Sequence, residues 1–502
     1  MAQQVSGEAR PGVGLATDAI GLREVLFQSI THMAPAAAVA FSIPFGAPFG
    51  GGSLPLAVIL ALIGCLFAAN SIGQLAKHLP SAGSFYTYTS RGLHPLVGFL
   101  VAWAYAFVEA LVAPLLYLIL GVTVAGTLNV EFGWSTDLWW IWALLGAVIV
   151  GYLGYRGIVL SAEAGTILGI FEIAVFTLLS LWLIAKAGSN NTLSVFGTSH
   201  TASGYKGLSG VVAGAVYCIL AFIGFEAAAP LAEEARDPRR TIKQAVLYSA
   251  AGIGIFYVLT TYAASVFFGP DKMVNFSTAG NSDPWALMAR QAWGWGWLIV
   301  ILAIVNSAIA NSNAGANATT RTWYAMGRIR LLPSMLARIH PQYKSPHIAV
   351  GLQFLLGVVL PLWLGFQYDP LTAFGFIATV NVVLVILIYI AVNISCLTYY
   401  LREHREEFNG LLHGVLPVLG VLVFIPAWLT AAGIPAFKFV GELPTPLSYA
   451  GPIDLIWMVI GVVYMIYLAS KAPERIRDTG KIFLEDEALE SGADAAALTE
   501  ER

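Results

Sequence analysis

The chain has 502 residues, of which 58% are hydrophobic and only 11% carry a charged side chain, and its formal net charge is −3. Soluble domains carry about 25% charged residues, so this composition excludes a soluble globular protein and predicts an integral membrane protein surrounded by lipid. The small net charge gives no reason to expect a nucleic-acid partner.

Twelve apolar runs are long enough to cross a bilayer as helices, because a span takes about 20 residues. An all-α fold with 12 transmembrane helices is therefore expected. The eighth run is too long for one span, and we expect a surface helix or a bent end from about Thr322 onward. The runs lie approximately at 30–49, 54–76, 95–125, 138–155, 162–186, 208–232, 243–268, 286–325, 347–364, 370–399, 411–432 and 452–470.

Most of the 26 Lys and Arg residues fall in cytoplasmic segments if the N-terminus is cytoplasmic. The positive-inside rule then predicts that both tails, 1–24 and 471–502, lie in the cytoplasm. We expect the protein in the plasma (inner) membrane. Residues 1–20 lack a short apolar core followed by a small-residue cleavage site, so we expect no removable signal peptide.

The first run carries Pro35 and Pro44, and each proline removes a helix hydrogen-bond donor. The sixth run has Gly224 in its middle and Pro230 six residues later. A break inside the bilayer persists only where the freed backbone groups are buried in protein or face a cavity. Prolines and glycines also simply kink transmembrane helices, but two breaks five spans apart are typical of an inverted repeat around a midplane site.

Freed N–H groups carry partial positive charge and freed carbonyls carry partial negative charge, so a broken helix suits a zwitterion or an ion. We therefore predict a substrate site at the break of the sixth run, formed by Ala221, Phe222, Ile223, Gly224 and Phe225.

Two carboxyl groups lie deep in apolar runs, Glu109 in the third and Glu172 in the fifth. Burying a carboxylate costs several kcal/mol unless it is paired or protonated. Each could bind a substrate amine or carry a coupled proton, and each could equally be a structural carboxyl that is hydrogen-bonded to a facing helix.

The eighth run has a long polar face of Asn306, Asn313 and Asn317, with Ser307 and Asn311 beside it. Such side chains either hydrogen-bond between helices or line a cavity. Ser307 or Asn311, with carbonyls of the first helix, could also supply oxygen ligands for sodium, which is the alternative coupling ion.

A cytoplasmic loop of mixed charge follows the sixth run. Its opposite charges could pair when an inner gate closes, although most such clusters are simply solvated. The candidate gate residues are Glu233, Glu234, Arg236 and Arg240.

Three segments carry a family pattern: AFIGFEAAAPLAEEARDPRRTIKQA from Ala221, LPSAGSFYTYTSRGLHPLVGFLVAW from Leu79, and Ala318 to Pro333. They resemble amino acid permeases of the amino acid/polyamine/organocation (APC) superfamily over roughly residues 20 to 470. The resemblance implies a five-plus-five inverted repeat (LeuT-like), with a core at 25–400, repeats at about 25–187 and 208–400, and helices 11 and 12 at 401–470. It also implies alternating access and secondary transport.

Carried over residue by residue, the resemblance places the substrate against the broken first helix at Pro35, Ala36, Ala37 and Ala38, and makes Phe222 or Phe225 the aromatic that closes over it. A Gly-Ser-Gly-type break is common in the family, whereas this chain has Pro-Ala-Ala-Ala there. Glu172 stands where many relatives carry a lysine. The two deep acids, Glu109 and Glu172, favour amine-bearing substrates.

We therefore expect a permease that imports an amino acid or a related small amine, with a proton as the coupling ion. The alternatives are an importer of carboxylate-free amines such as ethanolamine or polyamines, a sodium-coupled permease, and a nutrient sensor that does not transport. No catalytic cluster or metal-ligand spacing is recognisable, so we expect no enzyme, no cofactor and no metal.

Overall fold

The computed structural model describes residues 20–81 and 83–480, with the backbone alone at 158–164. Within this part of the chain, 12 helices are long and apolar enough to cross a membrane, as predicted. We number them α1 to α12. Their bounds are Leu22–His32 and Pro35–Ala37 with Ala38–Ser42 (α1), Leu54–His78 (α2), Pro95–Phe132 (α3), Trp139–Arg156 (α4), Ile158–Ala187 (α5), Leu208–Phe222 and Phe225–Leu231 (α6), Pro238–Phe268 (α7), Trp297–Arg328 (α8), His347–Tyr368 (α9), Pro370–Arg402 (α10), Leu416–Ala431 (α11) and Ala450–Lys471 (α12).

The first helix is broken, as expected, but the break lies just before the proline. Its N-terminal half, α1a, is called the inner half here and ends at His32, and Ala34 adopts a left-handed conformation with φ +48°. Pro35 then begins the outer half, α1b, because a proline at the first helical position needs no N–H partner. The stretch expected to be broken, 34–40, therefore contains the unwound Ala34, whereas residues 35–38 are helical.

The sixth helix breaks at the predicted glycine. α6a ends at Phe222, and Gly224 has φ +118°, which side-chain-bearing residues rarely adopt. The second half, α6b, is a 3₁₀-helix from Phe225 to Leu231 that contains Pro230. The break thus occurs where the sequence offers the residue that tolerates it.

The prediction of a surface helix or bent end from about Thr322 onward in the eighth run is wrong. α8 runs without interruption to Arg328, and Thr322 is buried within it. The extra length lies at the other end, where Pro284–Trp293 forms a separate helix. A turn at Gly294–Gly296, in which Gly294 has φ +56°, separates that helix from α8.

The helices differ greatly in how much of their apolar surface the protein covers. In the most apolar window of each span, 89% of the residues are buried in α1 and α6 and 83% in α3. The share falls to 28% in α11 and 17% in α12. The broken helices therefore lie at the centre of the bundle, whereas the last two spans present most of their side chains to lipid.

The halves α1b and α6a approach closely at two glycines. Gly46 follows α1b, and a Cβ atom built on it would lie only 2.8 Å from the carbonyl oxygen of Gly214 in α6a. Small residues at such a contact allow two backbones to pack against each other in a membrane.

We predict that Gly46→Ala destabilises the protein by about 1–3 kcal/mol, because the added methyl group forces the two backbones apart. The measurement is the thermal unfolding of the purified protein in detergent. Gly252→Ala on α7 is the matched control, since no atom lies within 4 Å of its added Cβ. An equal melting temperature for the two variants would contradict the close contact.

Candidate substrate site

The two helix breaks meet at a small cavity in the centre of the bundle. Its volume of about 30 Å³ leaves room for no more than a few water molecules, so it is too small for a substrate in this conformation. Five helices contribute to its wall: α1 with His32, Met33, Ala34, Ala38 and Ser42, α3 with Val112, Leu115 and Leu116, α6 with Leu220, Ala221 and Ile223, α8 with Asn311, and α10 with Asn381.

Several of the expected substrate-binding residues line this cavity, namely Ala38, Ala221 and Ile223. The two aromatic candidates do not. The ring of Phe222 packs edge-to-face on Tyr257 with the ring centroids 5.3 Å apart, and Phe225 packs on the ring of Tyr389 at the same distance. Both side chains are fully buried, and in this conformation they pack on the side of the break that does not face the cavity.

The first amides of α1b are all hydrogen-bonded within the chain. Ala36 donates its N–H to Oε2 of Glu172 at 3.0 Å, and Ala37 donates to Oγ of Ser307 at 3.1 Å. The amide of the following residue closes the first turn on the carbonyl of Ala34 at 2.7 Å. The deep carboxyl of α5 thus caps the positive end of the outer half-helix.

The start of α6b is capped in a similar way. The N–H of Gly224 donates to Oε2 of Glu226 at 3.0 Å. Ser29 of α1a accepts the N–H of Ala228 at 3.0 Å and donates its hydroxyl to the carbonyl of Phe225 at 2.8 Å. This serine links the inner halves of the two broken helices.

A tyrosine of α7 holds the carbonyl ends at both breaks. The hydroxyl of Tyr257 lies 2.6 Å from the carbonyl oxygen of Met33 and 2.9 Å from that of Ala221. One hydroxyl hydrogen therefore serves an acceptor from each helix. Both carbonyls are freed by the breaks and would otherwise lack a helical partner.

His32, at the end of α1a, lies beside the deep carboxyl of α3. Its Nε2 is 3.6 Å from Oε2 of Glu109, and both side chains are buried. His32 also packs against the break of α6, where a Cβ on Gly224 would lie 2.6 Å from its backbone carbon. Gly224 is thus needed both for its positive φ and for this close approach.

The four coupling-ion candidates separate into different places. Glu172 and Ser307 meet at the start of α1b, whereas Glu109 lies with His32. Asn311 lines the cavity itself. The sequence could not show this grouping, because it depends on which helices face each other.

The candidate gate carboxylates form ion pairs with the C-terminal end of α8. Oε1 of Glu234 lies 3.0 Å from Nε of Arg321, and both side chains are largely buried. Oε1 of Glu233 lies 3.2 Å from a terminal nitrogen of Arg328. These pairs connect the loop after α6b to α8.

The two arginines that were expected at the gate, Arg236 and Arg240, follow these acids in the chain. The N–H of Arg236 donates to the carbonyl of Ile20 at 2.8 Å, which brings the start of α1a to the same place. Arg240 lies in the first turn of α7. Arg321 and Arg328 were not proposed as gate residues, although a basic end of the eighth run was visible in the sequence.

Three further residues of the site were not proposed from the sequence: His32, Tyr257 and Asn381. His32 and Asn381 are polar residues inside apolar runs, so the sequence does carry a signal for both. Tyr257 had no such signal, because tyrosines are common in membrane helices and its role depends on the position of its hydroxyl.

This arrangement defines the protein as a helical membrane transporter whose broken first and sixth helices enclose a central site. A sequence profile described as "Amino acid permease" matches residues 24–472. The chain therefore belongs to the amino acid permease family.

Characterised relatives span most of the chain. The low-affinity putrescine importer PlaP of Escherichia coli (strain K12) is 26% identical over 424 residues, covering 82% of this chain and 85% of the relative. The branched-chain amino acid permease BcaP of Bacillus subtilis (strain 168) is 26% identical over 447 residues, covering 84% and 87%.

Solved structures support the fold. The crystal structure of a mutant manganese transporter from Eremococcus coleocola matches with a TM-score of 0.55 and 14% identity, covering 91% of this chain and 94% of that one. At this identity the likeness concerns the fold alone. The fold is the five-plus-five inverted repeat (LeuT-like) with broken helices 1 and 6, as expected.

We predict that Tyr257→Phe destabilises the protein by about 1–3 kcal/mol, because it removes the donor shared by two buried carbonyls. Thermal unfolding in detergent measures the loss, and the initial rate of substrate uptake should fall with it. Tyr248→Phe, on the same helix but 55% exposed, is the control and should change neither quantity. Wild-type stability of the Tyr257 variant would show that the bridge is unimportant.

Proposed function

We propose that the chain is a secondary transporter that imports an amino acid or a related small amine across the plasma membrane by alternating access, with a proton as the coupling ion. The observation that carries the proposal is the closed cavity where the two broken helices meet, with buried carboxyl groups around it. Among the relatives, one is named for a diamine and another for amino acids, which supports this range of substrates.

The contacts suggest how the inner side would open. Ser29 fastens α1a to α6b, so these two half-helices would move together. Their movement would separate Glu233 and Glu234 from Arg328 and Arg321 on α8. In this mechanism the ion pairs close the cytoplasmic path while the cavity is occluded, and both tails lie on that cytoplasmic side.

Proton coupling rests on the buried acids. A carboxylate inside the bilayer costs several kcal/mol unless it is paired or takes up a proton, so binding and release of a proton there can drive a conformational change. Glu109 and Glu172 are the candidates. Glu109 is favoured because it contacts His32, the last residue before the first break, so its charge acts directly on a moving segment.

We expect Glu109→Gln to abolish uphill uptake and its pH dependence, because the amide cannot exchange a proton. The assay is uptake of labelled putrescine and leucine into proteoliposomes with an acidic outside, with sodium present or replaced by choline. The variant should still equilibrate substrate across the membrane, which separates lost coupling from lost folding.

Three outcomes would overturn parts of this proposal. If Glu109→Gln keeps both uphill uptake and its pH dependence, the assignment of Glu109 is wrong. If uptake requires sodium and ignores the pH gradient, sodium is the coupling ion. If substrates stabilise the purified protein but no flux occurs, the protein is a sensor.

We predict that Glu234→Gln opens the inner gate more often, because Arg321 then loses the negative charge of its largely buried partner. Hydrogen exchange of amides at 225–235 should accelerate on the order of tenfold. Glu403→Gln breaks the exposed pair with Arg91 and serves as the control, with no expected change at these amides. Equal exchange in both variants would argue against a gate at Glu234.

A further inference from the structure

We propose that the substrate is a primary amine without a carboxylate, and that Glu172 excludes carboxylated relatives by occupying the position of a substrate carboxylate. This inference rests on the proposed transport function and narrows its substrate class. It follows from the hydrogen-bond donors and acceptors that remain unpaired at the site.

The donors at α1b are already used. In a broken helix the amides at the start of the outer half are the natural partners of a substrate carboxylate. Here Ala36 donates to the carboxylate of Glu172, and Ala37 donates to Ser307. Pro35 has no N–H at all. The positive end of this half-helix is therefore neutralised from within the chain.

The other break repeats the arrangement. The amide of Gly224 donates to Glu226, which is fully buried, and the amide of Ala228 donates to Ser29. A second internal carboxylate thus lies at the start of α6b. Both half-helix ends that could attract an anion carry an acid of the chain itself.

Unpaired acceptor atoms remain on the cavity wall. Asn311 and Asn381 line the cavity, and their buried Oδ1 atoms have no hydrogen-bond partner among the described residues. An ammonium group offers three donors and no acceptor, so it complements these oxygens.

His32 is the ring on the cavity wall that could donate a proton to a substrate carboxylate. Its Nε2 already faces Glu109 at 3.6 Å. A substrate carboxylate at this position would compete with Glu109 for the same imidazole and would repel it. Among the described residues of the cavity wall, a carboxylated substrate would find only uncharged donors besides His32, namely the hydroxyl of Ser42 and the amides of Asn311 and Asn381, unless it displaced Glu172.

Ligand pairs that differ only by the carboxylate test this inference directly. The pairs are putrescine and ornithine, ethanolamine and serine, and 3-methylbutylamine and leucine. Binding is measured as thermal stabilisation of the purified full chain at one pH, since a ligand stabilises the state to which it binds. For at least one pair we expect the amine to bind roughly 100-fold more tightly than its amino acid, the range in which an unpaired buried charge falls.

Variants of Glu172 test whether this residue causes the preference for the amine. Glu172→Ala uncovers the amide of Ala36, so the preference for the amine should fall at least about tenfold and the amino acid should gain affinity. Glu172→Gln keeps an oxygen that can accept the same N–H and should keep the preference. If Glu172→Ala does not fold, Ser307→Ala uncovers the amide of Ala37 and should shift the preference in the same direction.

The binding and uptake results answer different questions. Tighter binding of the amino acids, equal binding within every pair, or no stabilisation by any of the amines would overturn the inference. An unchanged preference in Glu172→Ala would remove Glu172 as its cause. Uptake of the same pairs into proteoliposomes tests transport separately, so an amine that binds without flux would refute the proposed function and leave the substrate class standing.

Discussion

Every backbone polar group inside a bilayer needs a partner, because no water is present to replace a lost helical hydrogen bond. The centre of this protein is organised by that requirement. Two helices are interrupted in the membrane, and the freed groups are satisfied by side chains from other helices: Glu172 from α5, Ser307 from α8 and Tyr257 from α7. The breaks can therefore exist only as part of the assembled bundle.

The same hydrogen bonds determine which parts can move together. Ser29 joins the inner halves of α1 and α6, and the close contact of Gly46 with Gly214 joins their outer halves. Tyr257 connects the two breaks to α7. A segment held by a few such bonds at its break can pivot there at small cost, whereas an intact helix would have to bend along its length.

The sequence predicts the spans and both breaks well, because hydrophobic length and Pro or Gly inside an apolar run are local signals. It misplaces what depends on neighbours. The break of α1 precedes Pro35 since a proline begins a helix more easily than it continues one. Phe222 and Phe225 turn away from the cavity because Tyr257 and Tyr389 offer ring contacts on the other side. The repeat boundaries and the roles of the site residues stay predictions.

A cationic substrate and a coupled proton act on the same kind of group, since each neutralises a buried carboxylate. If both used one carboxylate they would compete, and binding of one would expel the other. Import of an amine together with a proton therefore requires separate acids. More than one buried acid lies near the breaks, with Glu109 beside His32 and Glu172 at the start of α1b. Because Glu172 is held by the amide of Ala36 while Glu109 lies beside His32 at the end of α1a, we propose Glu109 as the acid that takes up and releases the coupled proton.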